Sequence, residues 1–110
     1  MSPKQIWKRT LRMAIRNFKT KGTENINYGR ITKEALRTLP KELHRKAQIK
    51  LARLGAVTSM QDLQEIRGNH FEKLKGKSQD QYSMRINDQY RICFKWEQEN
   101  AVDVEIIDYH

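Results

Sequence analysis

Residues 81–94 read Gln-Tyr-Ser-Met-Arg-Ile-Asn-Asp-Gln-Tyr-Arg-Ile-Cys-Phe, two alternating runs joined by a polar turn. Such alternation predicts a pair of antiparallel strands. The turn sets their register. A two-residue turn would place Arg85 opposite Tyr90 and mix charge into the core, whereas a three-residue loop pairs Ile86 with Tyr90. We therefore predict the three-residue loop, which places Arg85 directly opposite Arg91.

This register divides the hairpin between two faces of the sheet. The face toward the core collects Tyr82, Met84, Ile86, Tyr90, Ile92, Phe94 and Trp96, and the outward face collects Ser83, Arg85, Arg91, Cys93 and Lys95. Like charges directly opposite each other on a sheet are destabilising, so Arg85 and Arg91 indicate an anion site. In the competing interpretation, Asp103 and Glu105 neutralise the outward-facing cations in ordinary cross-strand ion pairs. Such a pair is more plausible for Lys95 than for Arg91, which lies farther from these acids.

The N-terminal half is predicted to supply a strand and helices. The run at 13–18 indicates a first strand, closed by a Lys-Gly-Thr turn at 21–23. Residues 31–39 are expected to be helical, and Pro40 is placed to start a longer helix that Gly55 ends. The apolar side of that helix carries Leu43, Ala47, Leu51 and Leu54. Its other side carries Lys41, Arg45, Lys46, Lys50 and Arg53, for which a solvated surface is favoured over phosphate binding.

The C-terminal half has a period of two, which predicts strands on both sides of the hairpin. Phe71 and Leu74 indicate the first of these, and Val102, Val104 and Ile106 indicate the last. The predicted fold class is therefore α+β, with an N-terminal strand and helices packed on a small, mainly antiparallel twisted sheet. We expect residues 13–110 to form this domain and residues 1–12 to be a basic N-terminal extension.

Length and charge restrict the function classes. The chain has 110 residues, with 22 Lys and Arg against 13 Asp and Glu and a net charge of +9, which favours a polyanionic partner. A single cysteine, Cys93, excludes an internal disulfide and a multi-cysteine zinc site. The three histidines lack ligand spacing and no Gly-rich phosphate loop is present, so no metal or cofactor is expected. No run approaches the roughly 20 apolar residues that span a membrane, and a cytoplasmic location is expected.

Several side chains near the hairpin suit RNA chemistry. Arginine stabilises the negative charge that builds on a phosphate during attack by a neighbouring 2′-hydroxyl, which suits Arg91. His110 has a ring suited to proton transfer, and Tyr109 has a ring that stacks on exposed bases. The expected RNA contacts are Lys73, Lys77, Arg85 and Lys95.

Three stretches of this chain resemble the HigB branch of the RelE/ParE toxins of toxin–antitoxin systems. They are Leu-Lys-Gly at 74–76, the hairpin at 81–94, and Val-Glu-Ile-Ile-Asp-Tyr-His at 104–110. Weaker similarity extends back to residue 13. The resemblance therefore covers nearly all of the chain beyond its first dozen residues.

The resemblance implies a RelE-like microbial RNase fold and a toxin that cuts messenger RNA on the ribosome without a metal. It also implies neutralisation by a HigA-like helix-turn-helix antitoxin. Operator DNA would then be bound only through the complex of toxin and antitoxin. Carried over residue by residue, it implies catalytic roles for Lys75, Arg91, Asp108, Tyr109 and His110.

One departure from the family pattern concerns proton transfer. Glu72 stands where some HigB relatives have an active-site histidine, so His110, Lys75 and Glu72 are all candidates for the general base. Two other functions compete with the nuclease: a ParE-like toxin that binds gyrase without cutting RNA, and a non-catalytic RNA-binding module. Arg91 and the closing Asp-Tyr-His favour the nuclease.

Overall fold

The helices come first in the chain. A computed structural model describes residues 14–57, 59, 61–62, 72–73 and 81–109, with only the backbone described at 72–73. Helix α1 spans Lys21–Asn27, α2 spans Lys33–Thr38, a 3-10 turn spans Lys41–Leu43, and α3 spans His44–Ala56. Thr20 and Thr32 cap α1 and α2, because each side-chain oxygen accepts a backbone N–H three residues on. The helices expected at 31–39 and after Pro40 are present, but two predicted bounds are wrong, because Pro40 precedes a 3-10 turn and Gly55 lies inside α3.

The predicted turn at 21–23 is wrong, because these residues form the first turn of α1. Thr20 Oγ1 accepts a hydrogen bond from Thr23 N at 3.2 Å and so starts a helix where Lys-Gly-Thr suggested a reversal. Gly22 serves helix packing, since a Cβ there would lie 1.9 Å from Thr38 Oγ1 on α2. Glycine at this position therefore allows close contact between two helices.

The sheet follows the helices in the order β1-β2-β3-β4, with every neighbouring pair antiparallel. Strand β1 is Glu72–Lys73, β2 is Gln81–Arg85, β3 is Tyr90–Glu97 and β4 is Asn100–Asp108. The predicted register is confirmed, with Arg85 opposite Arg91. Asn87 fixes the loop between β2 and β3, because its Oδ1 accepts hydrogen bonds from the backbone N–H groups of Gln89 and Tyr90.

The run expected as a first strand lies along the outer edge of β4. It forms two isolated parallel bridges, Ile15 to Ala101 and Phe18 to Val104, in place of a continuous strand. A bulge in β4 accounts for the interruption. Asp103 has a φ of 53°, and its backbone N–H and side chain both bond to the side-chain amide of Asn17. The N-terminal segment thus covers backbone groups that a bare edge strand would expose.

The core lies between the helices and one face of the sheet. Ala47, Leu51 and Leu54 of α3 are fully buried and belong to the same apolar cluster as Met84 and Phe94 of the hairpin. The α+β fold class is confirmed, with the helices preceding the strands. In the described part of the chain, no helix has the length and apolar character needed to cross a membrane.

Candidate active site

Arg91 is the central side chain on the sheet face that points away from the main core. It is only 7% exposed, and its Nε–H donates to Ser83 Oγ at 2.8 Å. Ser83 itself is fully buried on the neighbouring strand. Because both groups are shielded from water, this hydrogen bond holds the guanidinium in a defined position.

The face that was expected to point outward is buried at its centre. Ser83, Arg91 and Cys93 are all buried. Side chains on this face cover one another, since Arg91 packs on Ser83 and the ion pair of Lys19 with Glu105, at 3.5 Å, lies beside Cys93. Alternation along the strands identified the face, but it did not predict that ordered polar side chains would close over it.

Arg85 and Arg91 lie opposite each other, yet their side chains have different partners. Arg85 forms an ion pair with Asp88 in the loop between β2 and β3, and its side chain is 35% exposed. Asp88 therefore supplies an anion to Arg85 within the chain itself. Arg91, in contrast, is held in position by its hydrogen bond to Ser83 on the neighbouring strand.

The aromatic ring of Tyr109 completes the surroundings of Arg91. The guanidinium carbon of Arg91 lies 5.2 Å from the ring centroid, which is cation–π distance. Tyr109 is 45% exposed, so part of its ring faces solvent. A buried cation and a partly exposed ring thus stand side by side, a combination that suits a phosphate and a neighbouring base.

The loop between β2 and β3 holds the end of β4 in place. Tyr109 N donates to Gln89 O at 2.6 Å, and Gln89 Nε2 donates to Asp108 Oδ2 at 3.0 Å. Terminal residues are usually frayed unless they are tied down, and here the loop ties residues 108 and 109 to the site. Sequence reasoning did not single out Gln89 or Ser83 as positioning residues, although both flank Arg91 in the predicted register.

Lys95 has an acidic neighbour on the same face. Its Nζ lies 3.8 Å from Asp103 Oδ2, the cross-strand neutralisation that competed with RNA binding. Both side chains are partly exposed, so the pair contributes little to stability. An RNA contact by Lys95 stays a prediction, and it would have to displace this carboxylate.

Several predicted site residues fall outside the described side chains. Lys75, Lys77 and His110 lie outside the described residues altogether. For Glu72 and Lys73 the backbone alone is described, and it pairs with Ser83 and Tyr82 at the edge of the sheet. The functional roles given to these five residues stay predictions.

Cys93 is a packing residue on this face. Burial, together with the nearby Glu105 carboxylate, raises the pKa of its thiol to about 11, so the thiolate is scarce near neutral pH. Within the described ranges, no group of three or more His, Cys, Asp or Glu side chains is placed to hold a metal ion. The chemistry that this part of the site supports is that of an arginine, a tyrosine ring and their hydrogen-bonding partners.

Comparisons with known proteins identify the family of the chain. The family model described as the RelE-like toxin of the type II toxin–antitoxin system HigB matches residues 17–110. An uncharacterized protein of Haemophilus influenzae is 35% identical over 72 residues, which cover 66% of this chain and 70% of that protein. Toxin HigB-1 of Vibrio cholerae is 37% identical over 60 residues, which cover 54% of this chain and 63% of the toxin. Since the family model spans both the helices and the sheet, the chain belongs to the HigB-like toxins of type II toxin–antitoxin systems.

Proposed function

We propose that this toxin is an endoribonuclease that cuts messenger RNA on the ribosome and so stops translation. The observation that carries the proposal is the position of Arg91, buried at 7% exposure, held by Ser83 and lying beside the exposed ring of Tyr109. A cation held in a site shielded from water stabilises developing negative charge more strongly than a mobile surface cation does. Residues 13–110 would form the catalytic domain, with 1–12 as a basic extension.

In this mechanism Arg91 acts on the phosphate that is attacked. The 2′-oxygen bonds to phosphorus, charge builds on the non-bridging oxygens, and the bond to the 5′-oxygen of the next nucleotide breaks. The Arg91 guanidinium neutralises that charge, and the Tyr109 ring stacks on a base next to the cut. Because charge develops most fully in the transition state, this contact accelerates the reaction more than it strengthens binding.

Proton transfer falls to groups around this cation. One group takes the proton from the 2′-hydroxyl, and another gives a proton to the leaving 5′-oxygen. We propose His110, Lys75 or Glu72 for these roles, with Asp108 orienting the end of β4. Lys73, Lys77, Arg85 and Lys95 are proposed as contacts to the RNA backbone. The mechanism uses these side chains and no metal.

The proposed partners follow from membership of a type II system. A HigA-like helix-turn-helix antitoxin would neutralise the toxin in the cytoplasm and carry the complex to operator DNA, in a module that maintains plasmids. Such an antitoxin gene next to the toxin gene would support this part of the proposal. Neutralisation is measured as restored growth when both proteins are expressed together.

A reconstituted cleavage reaction tests the proposal. Purified ribosomes, a defined message and the full chain are combined, and cut sites are mapped by primer extension. We expect cuts with the parent and strongly reduced cutting with Arg91→Ala and with a chain that ends at Asp108. Intact message with the parent, combined with inhibition of gyrase supercoiling, would refute the nuclease and support a ParE-like action. Intact message with RNA binding alone would support the non-catalytic module.

A further inference from the structure

Among the residues whose side chains the structure describes, positive charge is concentrated in the helical part. Residues 14–57 contain eleven Lys and Arg against three Glu. Residues 81–109, which carry Arg91 and Tyr109, contain three Lys and Arg against six Asp and Glu. The described half that carries the candidate active site is therefore acidic overall. Attraction toward a polyanion must come largely from elsewhere in the chain.

Helix α3 is the most one-sided element. Its 13 residues include Arg45, Lys46, Lys50 and Arg53 and no acidic residue. We refer to the exposed cations Arg45, Lys46 and Arg53 as the basic helix face. No ion pair joins these three cations to a carboxylate among the residues that the structure describes. A merely solvating helix surface usually intersperses both signs of charge, and this one does not.

The fold holds these cations close together. The opposite side of α3 is anchored in the core through Ala47, Leu51 and Leu54, so the cations stay on the outward side of the helix. Lys50 lies between Lys46 and Arg53 and is only 9% exposed. Burial lowers the pKa of Lys50, and the neighbouring Arg53 and Lys46 lower it further. Like charges at these helical spacings destabilise an isolated helix, and an external polyanion would reverse that effect.

We infer that the basic helix face docks the toxin on the phosphate backbone of ribosomal RNA, independently of the candidate active site. The inference rests on the proposed function, in that it takes the ribosome as the place of action. The face offers guanidinium and ammonium groups and no aromatic side chain, a composition suited to phosphates and sugars and poor for base recognition. The apolar side of α3 belongs to the core cluster on one side of the sheet, whereas Arg91 lies on the other side. Docking by the helix therefore leaves the candidate active site free for the message.

The test is a salt titration of binding to purified 70S ribosomes. The variant Arg45→Glu with Lys46→Glu reverses two charges in the first turn of α3. Its control, Lys21→Glu with Lys33→Glu, makes the same change in net charge at the first residues of α1 and α2. Acidic residues are favourable in the first turn of a helix, so both variants are expected to fold.

We expect the α3 variant to lower the slope of log affinity against log salt by about two, one for each lost phosphate contact. Its affinity at low salt should fall at least about tenfold, and that of the control by no more than about threefold. Equal losses for the two variants, or no loss for either, would overturn the inference. Normal ribosome binding with loss of neutralisation by the antitoxin would also overturn it, because the face would then dock a protein.

Cleavage of the message is scored in the same samples. Intact message with the parent would contradict the proposed function, while the binding comparison would still decide the docking inference. Cut message with unchanged ribosome binding by the α3 variant would support the proposed function and overturn the docking inference. The two failures are therefore distinguishable.

Discussion

Replacing Ser83 with alanine removes one oxygen atom from the centre of the candidate active site. Ser83 is fully buried, and its hydroxyl accepts the Nε–H of Arg91 at 2.8 Å. Alanine keeps the Cβ and leaves almost no cavity, so the main change is the lost hydrogen bond. A hydrogen bond to a charged group contributes about 1.5–3 kcal/mol, and water cannot easily replace it at a buried position.

We therefore expect Ser83→Ala to lower the free energy of unfolding by about 1.5–3 kcal/mol in urea titrations. In a chain of about this size, each kcal/mol corresponds to a fall in Tm of roughly 4–8 °C. Cleavage should slow as well, because the guanidinium loses one of the contacts that orient it. The slowing should appear in the rate at saturating ribosomes and be small in ribosome affinity.

A double-mutant cycle with Arg91→Met separates this hydrogen bond from other effects of the substitution. The coupling between the two positions should exceed about 1 kcal/mol, since methionine keeps an apolar chain but has no donor. A coupling below about 0.5 kcal/mol, with normal cleavage by Ser83→Ala, would show that Ser83 does not hold Arg91.

Three further predictions follow from buried polar groups. Thr23→Val should lower the free energy of unfolding in urea by about 1–3 kcal/mol, because Thr23 Oγ1 accepts a hydrogen bond from Ile106 N at 2.9 Å. Cleavage should stay normal below the melting range, and a loss of stability under about 0.5 kcal/mol would contradict the prediction. Cys93 should resist iodoacetamide in the native chain and react once the chain is unfolded, and rapid labelling of the native chain would refute its burial as a packing residue. The free energy of unfolding should also fall as pH rises from 9.0 toward about 11, because the thiol ionises first in the unfolded chain. Lys50 should make stability depend on pH, because burial holds its folded pKa below the ordinary value of 10.5. The free energy of unfolding of the parent, relative to that of Lys50→Met, should rise as pH rises toward 10.5, and parallel pH profiles of the two proteins would argue against it.

The hairpin was the most predictable part of the fold. Its register follows from which loop length keeps Arg85 out of the core, an argument that needs only the local sequence. The placement of Arg85 opposite Arg91 followed directly and is confirmed. Local periodicity also identified the apolar side of α3.

The features that could not be predicted depend on tertiary contacts. The first turn of α1 looked like a reversal because the role of Gly22 depends on Thr38 of the next helix. The solvated side expected for α3 does not hold for Lys50, which packing buries. Arg91 contacts a serine from the neighbouring strand and a tyrosine that follows β4. These contacts join separate segments of the chain, so the periodicity of one segment cannot predict them.

The action of Arg91 on the reacting phosphate is the step on which the proposed mechanism depends. It is tested most directly by the single-turnover rate of message cleavage at saturating ribosomes, with the parent and with Arg91→Ala. Loss of one donor that stabilises a developing oxyanion typically costs about 10²–10³ in rate, so we predict a fall of that size with ribosome affinity within about threefold of the parent. Cleavage by Arg91→Ala at the parental rate would show that Arg91 does not act on the reacting phosphate.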